Sequence, residues 1–127
     1  MIWVATQELT FLNNMPAYEI SNHALNGAES RHNLIYWRYG DYVGVGPGAH
    51  GRITSKGNRI ATVTTQNPED WLRNVELKGT ATSDDEIIKP RDQAAEYLMM
   101  SLRLTEGLDM NRFKNLCGTA LDNQVID

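Results

Sequence analysis

The chain has 127 residues, a usual size for one domain, and its 41% hydrophobic and 22% charged residues exclude a disordered protein. No apolar run approaches the roughly 20 residues that a membrane-spanning helix needs, and no basic segment precedes an apolar one as in a signal peptide, so we expect a cytoplasmic protein. A net charge of −4 with well-mixed signs disfavours a nucleic-acid partner.

A helix and two short strands are predicted in the first part of the chain. Apolar residues recur at helical spacing in residues 2–12, and an Asn-Asn pair and then Pro16 end that helix. The segments 17–21 ("AYEIS") and 41–46 ("DYVGVG") have the character of short strands. The small residues of the second segment would let another backbone or a ligand approach closely.

Turn and capping signals follow in the middle of the chain. Residues 52–64 predict a hairpin, because two β-rich arms meet around Gly57. Asn67 is a suitable N-cap and Pro68 suits the first position of a helix. We therefore expect a helix that starts here and ends at Gly79.

A polar segment, residues 81–86 ("ATSDDE"), is predicted to be a linker that divides the chain into domains 1–83 and 84–127. Beyond it, residues 90–104 predict a helix that is apolar nearly all round. Its narrow polar stripe consists of Asp92, Glu96 and Arg103. Because such a helix is buried on most sides, we expect apolar surface that absent sequence or a partner would cover. The chain should therefore self-associate or be marginally stable.

A short helix is predicted over residues 110–117, and the chain's single cysteine, Cys117, lies at helical spacing from Phe113. A single cysteine excludes an internal disulfide and a cysteine-only metal site. We expect its thiol to be buried and inert.

The stretch "DYVGVGPGAHG" concentrates glycines, among them Gly44, Gly46 and Gly48. A dinucleotide-binding loop needs a further glycine that opens a helix, and a nucleotide P-loop needs a Gly-Lys-Ser/Thr sequence; neither is present. Two interpretations stay open. The glycines form the end of a strand and a tight turn, or they let the backbone approach a ligand.

The three histidines, His23, His32 and His50, lie 9 and 18 residues apart, which does not fit the short ligand spacing of a zinc site. His32 is the best candidate for non-covalent haem ligation, because imidazole is a standard axial ligand. Tyr36 and Trp37 follow four and five residues later, so in a helical turn Tyr36 shares its face. The alternative is that the two aromatics belong to the core and that His32 is a hydrogen-bonded cap residue. No catalytic residue is predicted, since a Gly-x-Ser-x-Gly elbow is absent.

Two long segments carry a resemblance to a known family. "YEISNHALNGAESRHNLIYWRYGDYVGVGPGAHG" closely resembles a segment found late in radical-SAM proteins of the oxygen-independent coproporphyrinogen III oxidase-like group. "KPRDQAAEYLMMSLRLTEGLDMNRFKNLCG" resembles the start of the C-terminal domain in that group. Within the group, a His-Asn-x-x-Tyr-Trp motif marks the haem chaperones, and here it is His32, Asn33, Tyr36 and Trp37.

The resemblance implies an α/β fold, which in this chain is an α+β combination. Residues 1–83 would form the last part of a partial radical-SAM (β/α) barrel, and residues 84–127 the start of a small helical, winged-helix-like domain. It also implies that the four motif residues contact haem, that Gly44, Gly46 and Gly48 lie near a barrel ligand, and that haem passes on to haem-receiving proteins.

The chain departs from the family in lacking the Cys-x-x-x-Cys-x-x-Cys motif that holds a [4Fe–4S] cluster and S-adenosylmethionine. We therefore expect a non-catalytic C-terminal fragment, with no metal site of its own, whose longer parent carries that cluster. Two alternatives stay open. The chain is a fragment of an oxygen-independent coproporphyrinogen III oxidase, an enzyme of oxidative decarboxylation in porphyrin biosynthesis, or it is a stand-alone interaction domain without a porphyrin role.

Overall fold

The computed structural model describes residues 2–117, which form five helices, three strands and the loops between them. In chain order the elements are α1 Ile2–Leu12, α2 Arg31–Trp37, β1 His50–Ser55, β2 Asn58–Thr64, α3 Pro68–Lys78, β3 Thr82–Ile87, α4 Pro90–Ser101 and α5 Met110–Cys117. Contacts divide them into two compact units. The sheet unit is Gly40–Gln93, and the helical unit takes its described residues from 2–39 and 94–117. The predicted mixture of helices with a small sheet is confirmed.

The sheet unit contains an antiparallel sheet of order β1-β2-β3. Lys56 and Gly57 both have positive φ, 49° and 80°, as a tight two-residue hairpin turn requires. They join β1 to β2 in register from His50 opposite Val63 to Ser55 opposite Asn58. The predicted hairpin is confirmed, with its first strand starting two residues earlier than expected.

The linker predicted at residues 81–86 is wrong, because most of that segment belongs to β3, which pairs with β2. Every side chain of β3 is exposed. The strand is therefore held through its backbone and shows no apolar alternation that sequence analysis could detect. The domain boundary predicted between residues 83 and 84 stays a prediction.

Helix α3 has the ends that its sequence predicts. The Asn67 side chain accepts hydrogen bonds from the backbone N–H groups of Glu69 and Asp70 at 2.9 and 3.0 Å. Gly79 has φ 73°, and its N–H donates to the carbonyl of Val75. Both ends follow from local chemistry, an Asx cap and a left-handed glycine.

The two strands predicted at residues 17–21 and 41–46 do not form as strands. The first segment makes single antiparallel bridges only, from Ala17 to His23 and from Glu19 to Leu104. The second makes one bridge, between Tyr42 and Arg52. Neither segment extends these bridges into a ladder, although both have a β-type composition.

The core of the helical unit lies between α4, α5 and the residues after α2. Its buried members are Tyr39, Ala94, Tyr97 and Phe113. The Tyr39 hydroxyl donates to Glu96 at 2.7 Å, and the Tyr97 hydroxyl accepts from the backbone N–H of Asp109 at 3.1 Å. Both tyrosines therefore bury their rings and still satisfy their polar ends.

Helix α4 ends at Ser101 rather than at residue 104, and only one of its faces is buried. Met99 and Leu102 remain 65% and 62% exposed. Helix α1 has its predicted bounds, yet no residue in it is buried. None of the described helices is long and apolar enough to cross a membrane. The prediction for the Cys117 thiol concerns a side chain outside the described part of the structure.

Candidate functional site

The predicted motif lies on α2, whose seven residues follow an N-cap at Ser30. The Ser30 side chain accepts a hydrogen bond from the backbone N–H of Asn33 at 3.3 Å. Ser30 therefore occupies the capping position that one interpretation gave to His32. The rings of His32 and Tyr36 lie 4.8 Å apart between centroids at an angle of 59°, as the predicted helical spacing requires.

The four motif residues divide into an outer pair and an inner pair. His32 is exposed, and Tyr36 beside it is half-buried. Asn33 and Trp37 are also half-buried, and both contact other segments of the helical unit. The Asn33 side chain donates to the Tyr18 hydroxyl at 3.2 Å, which ties α2 to the loop before it.

Trp37 packs against Arg103, whose guanidinium carbon lies 4.3 Å from the centroid of the indole ring. The same guanidinium faces Glu19, with 3.4 Å between Nη2 and Oε2. Glu19 is only 1% exposed, and its other carboxylate oxygen accepts from Ser21 N and Asn22 Nδ2 at 2.9 and 2.5 Å. A buried carboxylate thus holds a cation on the face of the motif tryptophan.

The C-terminal end of α2 is held by two further charged residues. Arg38 forms a two-pronged ion pair with Glu106, with donor–acceptor distances of 2.8 and 2.7 Å. These hydrogen bonds lower the pKa of Glu106 and raise the pKa of Arg38 from their ordinary values. Arg112 donates to the carbonyls of Arg38 and Tyr39 at 2.6 and 3.0 Å, so it satisfies acceptors that the helix end leaves free.

The predicted glycines, Gly44, Gly46 and Gly48, belong to the sheet unit and lie in the segment that precedes β1. A Cβ on Gly44 would come within 2.5 Å of the His50 carbonyl oxygen, so glycine is required there by the close approach of two backbone segments. Gly46 has φ 104°, and its carbonyl accepts from the Thr64 hydroxyl. Backbone packing and a turn thus account for these glycines, while contact with a ligand stays a prediction.

The donor set suits one imidazole ligand rather than a polydentate metal site. Within residues 2–117, no group of three or more His, Cys, Asp or Glu side chains could hold a metal ion. His32 offers an accessible imidazole with an aromatic ring beside it. The Nε1 of Trp37 is buried and has no hydrogen-bond partner among the described residues. An accessible imidazole beside an aromatic ring fits a flat apolar molecule that takes one axial nitrogen.

Sequence analysis did not assign Glu19, Arg103 or Arg112 to the site. Arg103 did stand out as one of three polar residues on an otherwise apolar helix. That stripe was a usable signal, since two of its members, Glu96 and Arg103, turn out to contact Tyr39 and Trp37. Glu19 and Arg112 gave no comparable signal, because their partners are distant in the sequence.

Comparison with known proteins relates the chain to a family. Residues 88–125 match the family model described as the HemN C-terminal domain. The chain is 41% identical over 95 residues to the mitochondrial "Radical S-adenosyl methionine domain-containing protein 1" of Danio rerio, covering 72% of this chain and 21% of that protein. It is 34% identical over 112 residues to "Heme chaperone HemW" of Escherichia coli K12, covering 85% of this chain and 28% of that protein.

A solved structure gives the same picture for the fold. The radical-SAM coproporphyrinogen III oxidase HemN of Escherichia coli superposes with a TM-score of 0.66 and 14% sequence identity, over 93% of this chain and 29% of that one. The chain therefore spans less than a third of the length of each of these three proteins. Because the sequence identity to HemN is only 14%, the structural match establishes the fold alone. The resemblance that the sequence indicated is confirmed.

Proposed function

We propose that this chain forms a haem-contacting part of a haem chaperone. The proposal follows from its similarity to the C-terminal part of the HemN-like radical-SAM family. The observation that carries this proposal is the exposed His32 imidazole beside Tyr36, on a helix fixed at both ends. A chaperone must release what it binds. An open surface with one nitrogen ligand suits reversible binding better than an enclosed cavity would.

Each motif residue has a distinct part in this proposal. His32 would offer a neutral ring nitrogen to the haem iron, and Tyr36 would contact the macrocycle. Asn33 and Trp37 would hold α2 in place through Tyr18 and Arg103. Gly44, Gly46 and Gly48 are proposed only to let the backbone near a ligand. The partners proposed for the longer protein are haem and haem-receiving proteins.

A hemin titration followed at the Soret band tests the proposal. We expect His32→Ala to shift the band and to weaken binding by roughly tenfold or more, through loss of the axial ligand. His50→Ala is the matched control, because this imidazole is also exposed but lies outside the motif. Equal losses for both variants would indicate non-specific adsorption and contradict the proposal. Unchanged melting temperatures would show that the His32 effect is not a loss of fold.

We also propose that this chain alone catalyses no radical-SAM reaction. A [4Fe–4S] cluster is held by cysteine thiolates, and the chain contains only Cys117. Anaerobic reconstitution with iron and sulfide should leave the protein without the broad visible absorption of a cluster. A stoichiometry of about four irons per chain would contradict this part of the proposal. The cluster and S-adenosylmethionine are proposed for the longer protein only.

The structural match to HemN favours a second candidate, a part of a coproporphyrinogen III oxidase. The two candidates differ in what the longer protein does with a porphyrin. Decarboxylation of coproporphyrinogen III by that protein would favour the oxidase, whereas hemin binding that depends on His32 would favour the chaperone. A chain that binds no hemin would fit a stand-alone interaction domain. The cytoplasmic location stays a prediction, because the animal relatives are named as mitochondrial proteins.

A further inference from the structure

We infer that Arg103 is a positioning residue for the motif, and that the buried carboxylate of Glu19 holds it against the ring of Trp37. This inference rests on the proposed function, because it assigns to Arg103 a role in binding the same ligand. Nothing in the motif itself points to Arg103, which lies 66 residues further along the chain from Trp37. It acts through Trp37 and is not itself placed against a ligand.

The carboxylate of Glu19 is the fixed point of this arrangement. Its side chain has no solvent exposure, and one oxygen is held by Ser21 N and Asn22 Nδ2. The other oxygen faces the guanidinium of Arg103 at 3.4 Å, a long hydrogen bond but a close approach of opposite charges. A buried carboxylate needs a nearby cation, so the position of Arg103 is set by Glu19.

The backbone around these two side chains fixes their geometry further. The N–H of Ile20 donates to the carbonyl of Arg103 at 3.0 Å, and the N–H of Thr105 donates to the carbonyl of Tyr18 at 3.1 Å. The two residues that flank Glu19 are therefore joined, main chain to main chain, to Arg103 and Thr105. These backbone hydrogen bonds hold together the two segments that carry the side chains.

The consequence for Trp37 follows from the shape of its two neighbours. One face of the indole lies under the planar guanidinium, whose carbon is 4.3 Å from the ring centroid. A planar cation on one face limits rotation of the ring about its side-chain bonds. With Nε1 left without a hydrogen bond among the described residues, the ring orientation is set by stacking rather than by hydrogen bonding. Arg103 therefore determines the orientation of the indole ring.

Arg103→Lys tests this inference, because it keeps the positive charge beside Glu19 and removes the planar group over Trp37. We expect hemin affinity to fall roughly three- to tenfold and the Soret maximum to move. Arg91→Lys is the matched control, since Arg91 is an exposed arginine on α4. In a Trp37→Phe background, Arg103→Lys should add no further loss. An additional loss there, or wild-type binding by Arg103→Lys alone, would overturn the inference.

A second measurement separates this inference from the proposed function. Replacing Trp3 and Trp71 by Phe leaves Trp37 as the one fluorescent tryptophan of the three in the chain. Arg103→Lys should then increase acrylamide quenching of Trp37 without hemin, and Glu19→Gln should do the same if the first variant does not fold. If wild-type protein binds no hemin, the proposed function fails, and the quenching result alone decides whether Arg103 positions Trp37. Unchanged quenching overturns the inference.

Discussion

The sheet unit and the helical unit differ in the sequence range of the contacts that hold them. In the sheet unit, β1 and β2 are neighbours in the sequence and pair through a two-residue turn. In the helical unit, α2 depends on contacts such as Arg38 with Glu106 and Arg112 with the Arg38 carbonyl, which span 68 and 74 residues. A seven-residue helix is not stable by itself, so the candidate site exists only where the C-terminal residues hold it.

The two units also differ in how much apolar surface they expose, and the largest effect we predict concerns association. In the helical unit, Trp3, Phe11 and Leu12 on α1 are 66%, 71% and 76% exposed. Because burying each such side chain is favourable by about 1.5–3 kcal/mol, replacing Phe11 and Leu12 by Ser should weaken self-association by on the order of 100-fold. Sedimentation equilibrium measures this change.

The matched control for α1 lies in the sheet unit. Leu77 on α3 is 75% exposed and does not belong to the apolar side chains of α1. Leu77→Ser should leave the association constant nearly unchanged. A wild-type chain that remains monomeric at high concentration would contradict the prediction, and so would equal effects of the two changes.

The next largest effect tests the long-range contacts of α2. Arg112→Ala removes two hydrogen bonds from a charged donor to the Arg38 and Tyr39 carbonyls, together with stacking on Tyr97 at 4.7 Å. We expect the free energy of unfolding to fall by about 2–3 kcal/mol. Amide hydrogen exchange should become faster in α2. Lys114→Ala changes an exposed residue on α5, the helix that also carries Arg112, and should have little effect. An equal acceleration throughout α2 and the β1–β2 hairpin would show that Arg112 does not hold α2 specifically.

A smaller effect is expected from Gly44→Ala, which tests close backbone packing in the sheet unit. The added Cβ would lie 2.5 Å from the His50 carbonyl oxygen, so the backbone must move, at a cost of about 2 kcal/mol. Val45→Ala is the control, because Val45 is 84% exposed. Chemical denaturation gives both values. If Gly44→Ala is as stable as the control, the glycine is not required for packing, and its ligand-contact interpretation gains weight.

The difference between contacts that are close in the sequence and contacts that are distant in it explains how much of the structure could be predicted. The β1–β2 hairpin and both ends of α3 were predicted, because Gly57, Asn67 and Gly79 carry their signals locally. The strand β3 was predicted as a linker, because its exposed side chains give no pattern. The motif itself was found through a resemblance, and the pairing of His32 with Tyr36 followed from helical spacing.

What remained hidden was the support of the site. Glu19 and Arg103 come together from 84 residues apart, and no local pattern in either segment specifies the other. Their role follows from burial and from the need of a buried carboxylate for a cation, which only the folded chain reveals. The candidate side chains were therefore easier to find in the sequence than the residues that hold them in place.

The smallest predicted effect is the loss of stability at acidic pH. We compare it for one carboxylate from each unit. In the sheet unit, burial acts to raise the pKa of Asp41, but hydrogen bonds from Thr54 and the nearby Arg59 outweigh it and lower the pKa. In the helical unit, hydrogen bonds from Arg38 lower the pKa of Glu106. A carboxylate whose pKa is lower in the folded state stabilises the protein above its unfolded pKa, and that stabilisation is lost as the pH falls through the folded pKa.

Glu106→Gln isolates the contribution of the helical unit. The Arg38–Glu106 pair is about half exposed on both sides, so solvent screens it and the variant should lose only about 0.5 kcal/mol at neutral pH. The difference from wild type should shrink as the pH falls below roughly 4.3, the ordinary pKa of a glutamate, and vanish below the folded pKa. Urea denaturation across this range measures it. A difference that stays constant with pH would show that Gln replaces the packing of Glu106 poorly and that its charge contributes nothing to holding α2.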